Sequence, residues 1–140
     1  MRIMAVDFGD ARTGVAVSDL TKTLVGDAWV IHSKNIKETS CKVAEEAKAR
    51  EVSCIVVGLP KNMDGSRGFR AEKSEHFAQM LGNKLLDLKC GINVVFWDER
   101  LTTVSANRIL TDAGKHGKKR KQTVDAVAAS LILEDYLKSL

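Results

Sequence analysis

The stretch MAVDFGDARTGVAVSD, residues 4–19, decides how this chain folds. It begins as an apolar run, reaches a carboxylate at Asp7, turns around Gly9 and resumes as TGVAVSD. Two apolar runs joined by so short a link are read as antiparallel strands, because a parallel return needs a crossover of a dozen or more residues. Asp7 is the anomaly. A strand that is otherwise apolar has little use for a charge, since burying an unpaired carboxylate is costly. Gly9 and Gly14 are turn residues first, and points where another backbone can approach closely second.

Working outward, VGDAWVIHS (25–33) reads as a third strand, again tightly linked. NIKETSCKVAEEAKAREV (35–52) places Ile36, Val43 and Ala47, with Ala44 beside them, on one helical face among charged residues. SCIVVGLP (53–60) is a continuous β-branched run of the kind buried on both faces of a parallel sheet, closed by Pro60, the only proline. KNMDGSRGFR (61–70) is a polar loop with a D-G turn signal. AEKSEHFAQMLGNKLLDL (71–88) has helical periodicity, and GINVVFWDE (91–99) is a strand ending in two carboxylates. TVSANRILTDAG (103–114) reads as a short helix, KHGKKRK (115–121) as a basic loop, and TVDAVAASLILEDYLKSL (123–140) as the last helix. The order βββαβαβαα implies an α/β protein: a mixed sheet with helices packed on its faces.

The bulk properties fit this reading. The 140 residues suggest one domain, 1–140, with 44% hydrophobic and 29% charged residues. The net charge of +4 is compatible with a nucleic-acid partner without demanding one. Three cysteines without C-x-x-C spacing fit reduced thiols in a cytosolic protein. No apolar stretch approaches the roughly 20 residues that span a bilayer, and no long apolar core follows the N-terminus as in a signal peptide. His32 and His76 lack metal spacing, and Trp29 and Trp97 read as packing residues.

The carboxylates carry the chemistry. Asp7 ends the first strand, and Asp98 and Glu99 end the last. If those strands run parallel, both ends lie on the carboxyl edge of the sheet, where open α/β sheets bind ligands. Asp125 heads a helical stripe continued by Ala129, Ile132 and Tyr136, and so points toward the same sheet. Clustered carboxylates repel unless a cation neutralises them or a proton is shared. Hard oxygen ligands suit Mg²⁺ or Mn²⁺, and a pair of such ions can activate water against a phosphodiester. Each acid also has a plain alternative: Asp125 as a helix-dipole partner, Asp98 and Glu99 as a solvated strand end.

Four motifs in order, VDFGDARTGVAVSD (6–19), GLPKNMDGSRG (58–68), DERLTT (98–103) followed by SANRIL, and VDAVAASLIL (124–133), resemble the YqgF family, also called RuvX. The resemblance implies a ribonuclease H-like mixed five-stranded sheet. Its first three strands are antiparallel, its last two run parallel to the first, and helices cover both faces. It implies a bacterial cytoplasmic endonuclease that processes the 5′ end of precursor 16S ribosomal RNA. An older family assignment is cutting of Holliday junctions. Mg²⁺ or Mn²⁺ would be held by Asp7, Glu99 and Asp125. Asp98 is free to exchange roles with Glu99, since successive strand residues face opposite ways. Arg12 keeps the phosphate contact of the first motif, although Ala11 stands where a basic residue is usual. Lys61, Asn62, Arg67 and Arg70 would grip phosphates, and Arg100 would bind phosphate or steady the acids. Lys118, Lys119, Arg120 and Lys121, in the basic loop, would clamp the strand. The expected partners are structured RNA or branched DNA, in pre-ribosomal particles, with the protein a monomer or weak homodimer and no membrane involved. Two other classes compete. One is a non-catalytic nucleic-acid-binding protein. The other is an actin-like nucleotide-binding module, which usually needs two such domains.

Overall fold

The computed structural model of the chain describes residues 2–60, 64, 68–99 and 118–140, and side chains in the last segment from residue 126 onward. Strand β1 (Arg2–Asp7) is buried from Ile3 to Asp7, which is why its sequence is apolar on both faces. The short turn after Asp7 returns the chain as β2 (Arg12–Ser18), antiparallel to β1 with Asp7 opposite Gly14. Strand β3 (Val25–His32) continues the meander, antiparallel to β2. Helix α1 (Ile36–Ala49) then crosses over to β4 (Val52–Leu59), and helix α2 (Phe69–Asp87) to β5 (Asn93–Asp98). Both crossovers end in parallel pairing, β4 on β1 and β5 on β4. The sheet order is β3-β2-β1-β4-β5. The ends of β1, β4 and β5 therefore share one edge, as the expected topology requires.

Asn35 caps α1 by accepting from the Glu38 backbone N–H at 3.1 Å. Val43, Ala44 and Ala47 of α1 and Phe77, Ala78, Leu81 and Leu85 of α2 pack on Met4, Val6, Val15, Ile55 and Val57. The opposite face carries helix α3 (Lys118–Ser139), whose Ala128, Ala129, Ile132 and Leu133 cover Ile3, Ala5, Ala16 and Val56. Alternation along the strands separates these two cores. Trp29 and Trp97 both pack, Trp29 under the Arg50 guanidinium and Trp97 edge-on to Tyr136. Among the described residues, no helix is long and apolar enough to cross a membrane.

One boundary differs from the sequence reading. Residues 118–121, read as the end of a basic loop, are already helical, because α3 begins at Lys118. Lysine and arginine are good helix formers, so a run of them next to an apolar stripe extends the helix rather than ending it. The short helix expected over 103–114 lies outside the described residues.

Candidate active site

Asp7 is the last residue of the central strand and only 5% exposed. Ile3 and Ala5, four and two residues before it, pack under α3, so Asp7 stands on the α3 face. Its parallel neighbour on β4 is the residue after Val57, which is Gly58, since Val6 pairs with Val57. A side chain on Gly58 would point into occupied space. A Cβ built there would lie 2.7 Å from Ile132 Cδ1 and 3.1 Å from Glu99 Oε1. The Glu99 carboxylate thus folds back over β4 on the α3 face, beside Ile132. It covers the glycine next to Asp7, and neighbouring strands are about 4.8 Å apart. Asp7, at the end of β1, and the Glu99 carboxylate, from just beyond the last strand, are therefore set on one face of the sheet with Gly58 as the gap between them.

That geometry separates Glu99 from Asp98. Asp98 is the last residue of β5, in register with Leu59. Val95 and Trp97 face α3 whereas Val94 faces α1 and α2, so alternation turns Asp98 to the latter side. Glu99, just beyond the strand, is 3% exposed. Burial pushes its pKa up to about 7; the Arg70 guanidinium pulls it down and the Asp98 charge adds to the rise. A glutamate held near neutrality by burial, next to a second buried carboxylate, is a donor set that a hard cation would relieve.

Asp125 belongs to the described helix by its backbone. Ile132 lies at the level of Gly58, and the Tyr136 hydroxyl is 3.9 Å from the Cys54 thiol, nearer the start of β4. Helix α3 therefore runs antiparallel to β4, and its N-terminal half leads toward the edge that carries Asp7 and Glu99. Position 125 is one turn before Ala128 and Ala129 on the sheet-facing stripe. The Asp125 side chain lies outside the described residues. Among the described residues, no group of three His, Cys, Asp or Glu side chains is placed to hold a metal ion.

The turn after Asp7 is tightly built. Gly9 has no room for a side chain, because a Cβ there would collide with the Arg12 carbonyl oxygen. The fully buried Thr13 hydroxyl lies 3.4 Å from both Gly9 N and Gly9 O. Phe8 stacks on Phe77 with centroids 4.8 Å apart, tying the turn to α2. Lys73 of α2 donates to both Asp10 carboxylate oxygens at 2.9 Å.

Of the expected phosphate contacts, Arg12 begins β2 at this same edge, opposite His32. Arg70, in the first turn of α2, is close enough to Glu99 to act on its charge. Lys61, Asn62, Arg67 and Arg100 lie outside the described residues, as do the side chains of Lys118, Lys119, Arg120 and Lys121. Sequence reasoning missed Gly58. Its signal was a glycine inside a β-branched strand, the usual mark of a close approach. It also missed Lys73, which carried no signal beyond being a charge on an amphipathic helix.

Comparison with known proteins places this geometry in a lineage. A chain from Halothermothrix orenii, named "Putative pre-16S rRNA nuclease", is 47% identical over 137 residues, covering 98% of this chain and 94% of the relative. A Clostridium acetobutylicum chain of the same name is 41% identical over 140 residues, the whole of both chains. Among solved structures, Thermus thermophilus RuvC in complex with a Holliday junction substrate superposes with a TM-score of 0.63 at 14% identity, covering 99% of this chain and 96% of that one. The fowlpox virus Holliday junction resolvase gives 0.60, also at 14% identity, over the full length of both. The fold is thus ribonuclease H-like, as the strand order already indicated. The family model described as "RuvX: Holliday junction resolvase" matches residues 1–139, and this chain is a member of the RuvX family.

Proposed function

We propose that this protein is a divalent-metal-dependent endonuclease that hydrolyses phosphodiesters in precursor 16S ribosomal RNA. The observation that carries the reading is the pair of buried carboxylates, Asp7 and Glu99, on one face of the carboxyl edge with Gly58 between them. Asp7 and Glu99, with Asp125 from α3, would hold Mg²⁺ or Mn²⁺. A bound ion of this kind supplies an activated water and stabilises charge on the phosphate. The protein's own part is to fix the carboxylates. Gly9 and Thr13 set the turn that begins at Asp7, and Gly58 leaves room for Glu99. Arg12 and Arg70 would orient the phosphate, helped by Arg100, by Lys61, Asn62 and Arg67, and by Lys118, Lys119, Arg120 and Lys121. Asp98, on the other face, would act through its charge on Glu99 rather than as a ligand.

The names of the relatives support RNA as substrate. On this reading residues 1–140 work as one unit in the cytoplasm, on pre-ribosomal particles, as a monomer or weak homodimer. A second reading, cleavage of branched DNA, is favoured by the likeness to resolvase folds. It needs two active sites facing paired strands, and therefore a symmetric dimer. The test is cleavage of a 5′-extended 16S precursor and of a four-way DNA junction, each with Mg²⁺ or Mn²⁺, by wild type and Asp7→Asn. RNA cleavage lost in Asp7→Asn supports the proposal. Junction cleavage alone favours the second reading, and equal RNA cleavage by both proteins refutes the site.

A further inference from the structure

Beside the carboxylate edge, on the face covered by α1 and α2, lies a groove of about 350 Å³. Phe8, Ile36, Lys34, Phe69, Lys73 and His76 are among its walls. A smaller cavity of about 180 Å³ shares Phe8, Asp10 and Lys73 with it and adds Gly9 and Arg70. The two thus adjoin at these shared residues, and the Arg70 that lines the smaller one acts through its charge on Glu99.

Phe69 is the unusual member. It is 71% exposed at the start of α2, so its ring does not serve the core. The ring is nonetheless held. Lys73 Nζ lies 4.3 Å from its centroid, and the same ammonium is fixed by both oxygens of Asp10 at 2.9 Å. One face of the ring is thus backed by a cation that is itself anchored, while most of the side chain meets solvent. A preset aromatic surface beside an apolar-floored groove, with Lys34 and Arg70 nearby, matches a nucleotide: base on the ring, phosphates on the cations.

We propose that this groove takes an unpaired base of the nucleic-acid substrate, stacked on the open side of Phe69, and so selects substrates with a single-stranded stretch beside the cut. The inference rests on the nuclease reading above and names what that site prefers. Phe69 is a specificity residue, and the Asp10–Lys73 pair positions it.

The test is equilibrium binding by fluorescence anisotropy, with the full chain and a chelator present so that binding is read without cleavage. The probes are a short single strand, a hairpin duplex of equal length, and a strand of abasic nucleotides, each as RNA and as DNA. Phe69→Ala is expected to weaken single-strand binding about tenfold. It should leave duplex and abasic binding within about twofold, and Phe69→Trp should restore the single strand. Single-strand binding unchanged in Phe69→Ala overturns the proposal, as does an equal loss on the abasic strand. The readout is binding, so a protein that stacks a base through Phe69 yet cleaves nothing refutes only the nuclease reading. A protein that cleaves while Phe69→Ala is silent refutes only the groove.

Discussion

At the scale of single residues, Glu99 shows how burial holds a carboxyl near neutrality at a cost to stability. Its folded pKa of about 7 lies above the ordinary 4.5, so the native state binds a proton that the unfolded chain has already released. The contribution is fully present below about pH 4.5 and is lost as pH rises through about 7, up to about 3 kcal/mol. Glu99→Gln keeps the shape without the charge. Thermal melts of the metal-free proteins should show the variant gaining on wild type between pH 4.5 and pH 8, with a flatter pH dependence. Parallel curves would mean that Glu99 is solvated. Asp7 was legible in the sequence because a charge inside an apolar strand stands out. The choice between Asp98 and Glu99 was not, because Glu99 lies just past the strand end, where alternation no longer fixes direction. The space over Gly58 is what sets the Glu99 side chain on the face of Asp7, and a missing side chain is visible only once the neighbouring strand and helix are in place.

At the scale of elements, β4 and α3 set the spacing of the site. Gly58→Ala would put a methyl against Ile132 and Glu99, forcing one of them to move. The expected result is a loss of about 1–3 kcal/mol in denaturant melts, as for other overpacked cores, with reduced metal affinity. A neutral outcome in both measurements would show that the gap is not needed. Ile132→Ala, at a fully buried contact between α3 and the sheet, should cost about 2–5 kcal/mol in the same melts. The strands were legible from their links: two short turns force antiparallel neighbours, and two helical crossovers force parallel ones. The start of α3 was not. Charge density suggested a loop in KHGKKRK, but helix propensity carries the helix back to Lys118.

At the scale of the whole molecule, the mixed sheet divides the labour between its faces. The α3 face holds the carboxylates, and the α1–α2 face carries the groove, both opening at the edge where β1, β4 and β5 end. A modest net charge of +4 hides a local run of Lys118, Lys119, Arg120 and Lys121 at the start of α3. Replacing these four by glutamine should flatten the dependence of log affinity on log salt by about 3 for a single strand, as each released counterion contributes about 0.7. An unchanged slope would show that this segment does not touch phosphate. The overall architecture was legible because element order and link length determine it. The approach of Glu99 to the face of Asp7 needed the third dimension, since the two are 92 positions apart in the chain. On the proposed function, these two carboxylates form one cation site. Titrating Mn²⁺ into the metal-free protein and reading the free ion by electron paramagnetic resonance tests it directly. Wild type should bind Mn²⁺, and Asp7→Asn and Glu99→Gln should each weaken binding by about tenfold or more. Binding equal to wild type in both variants would contradict the claim.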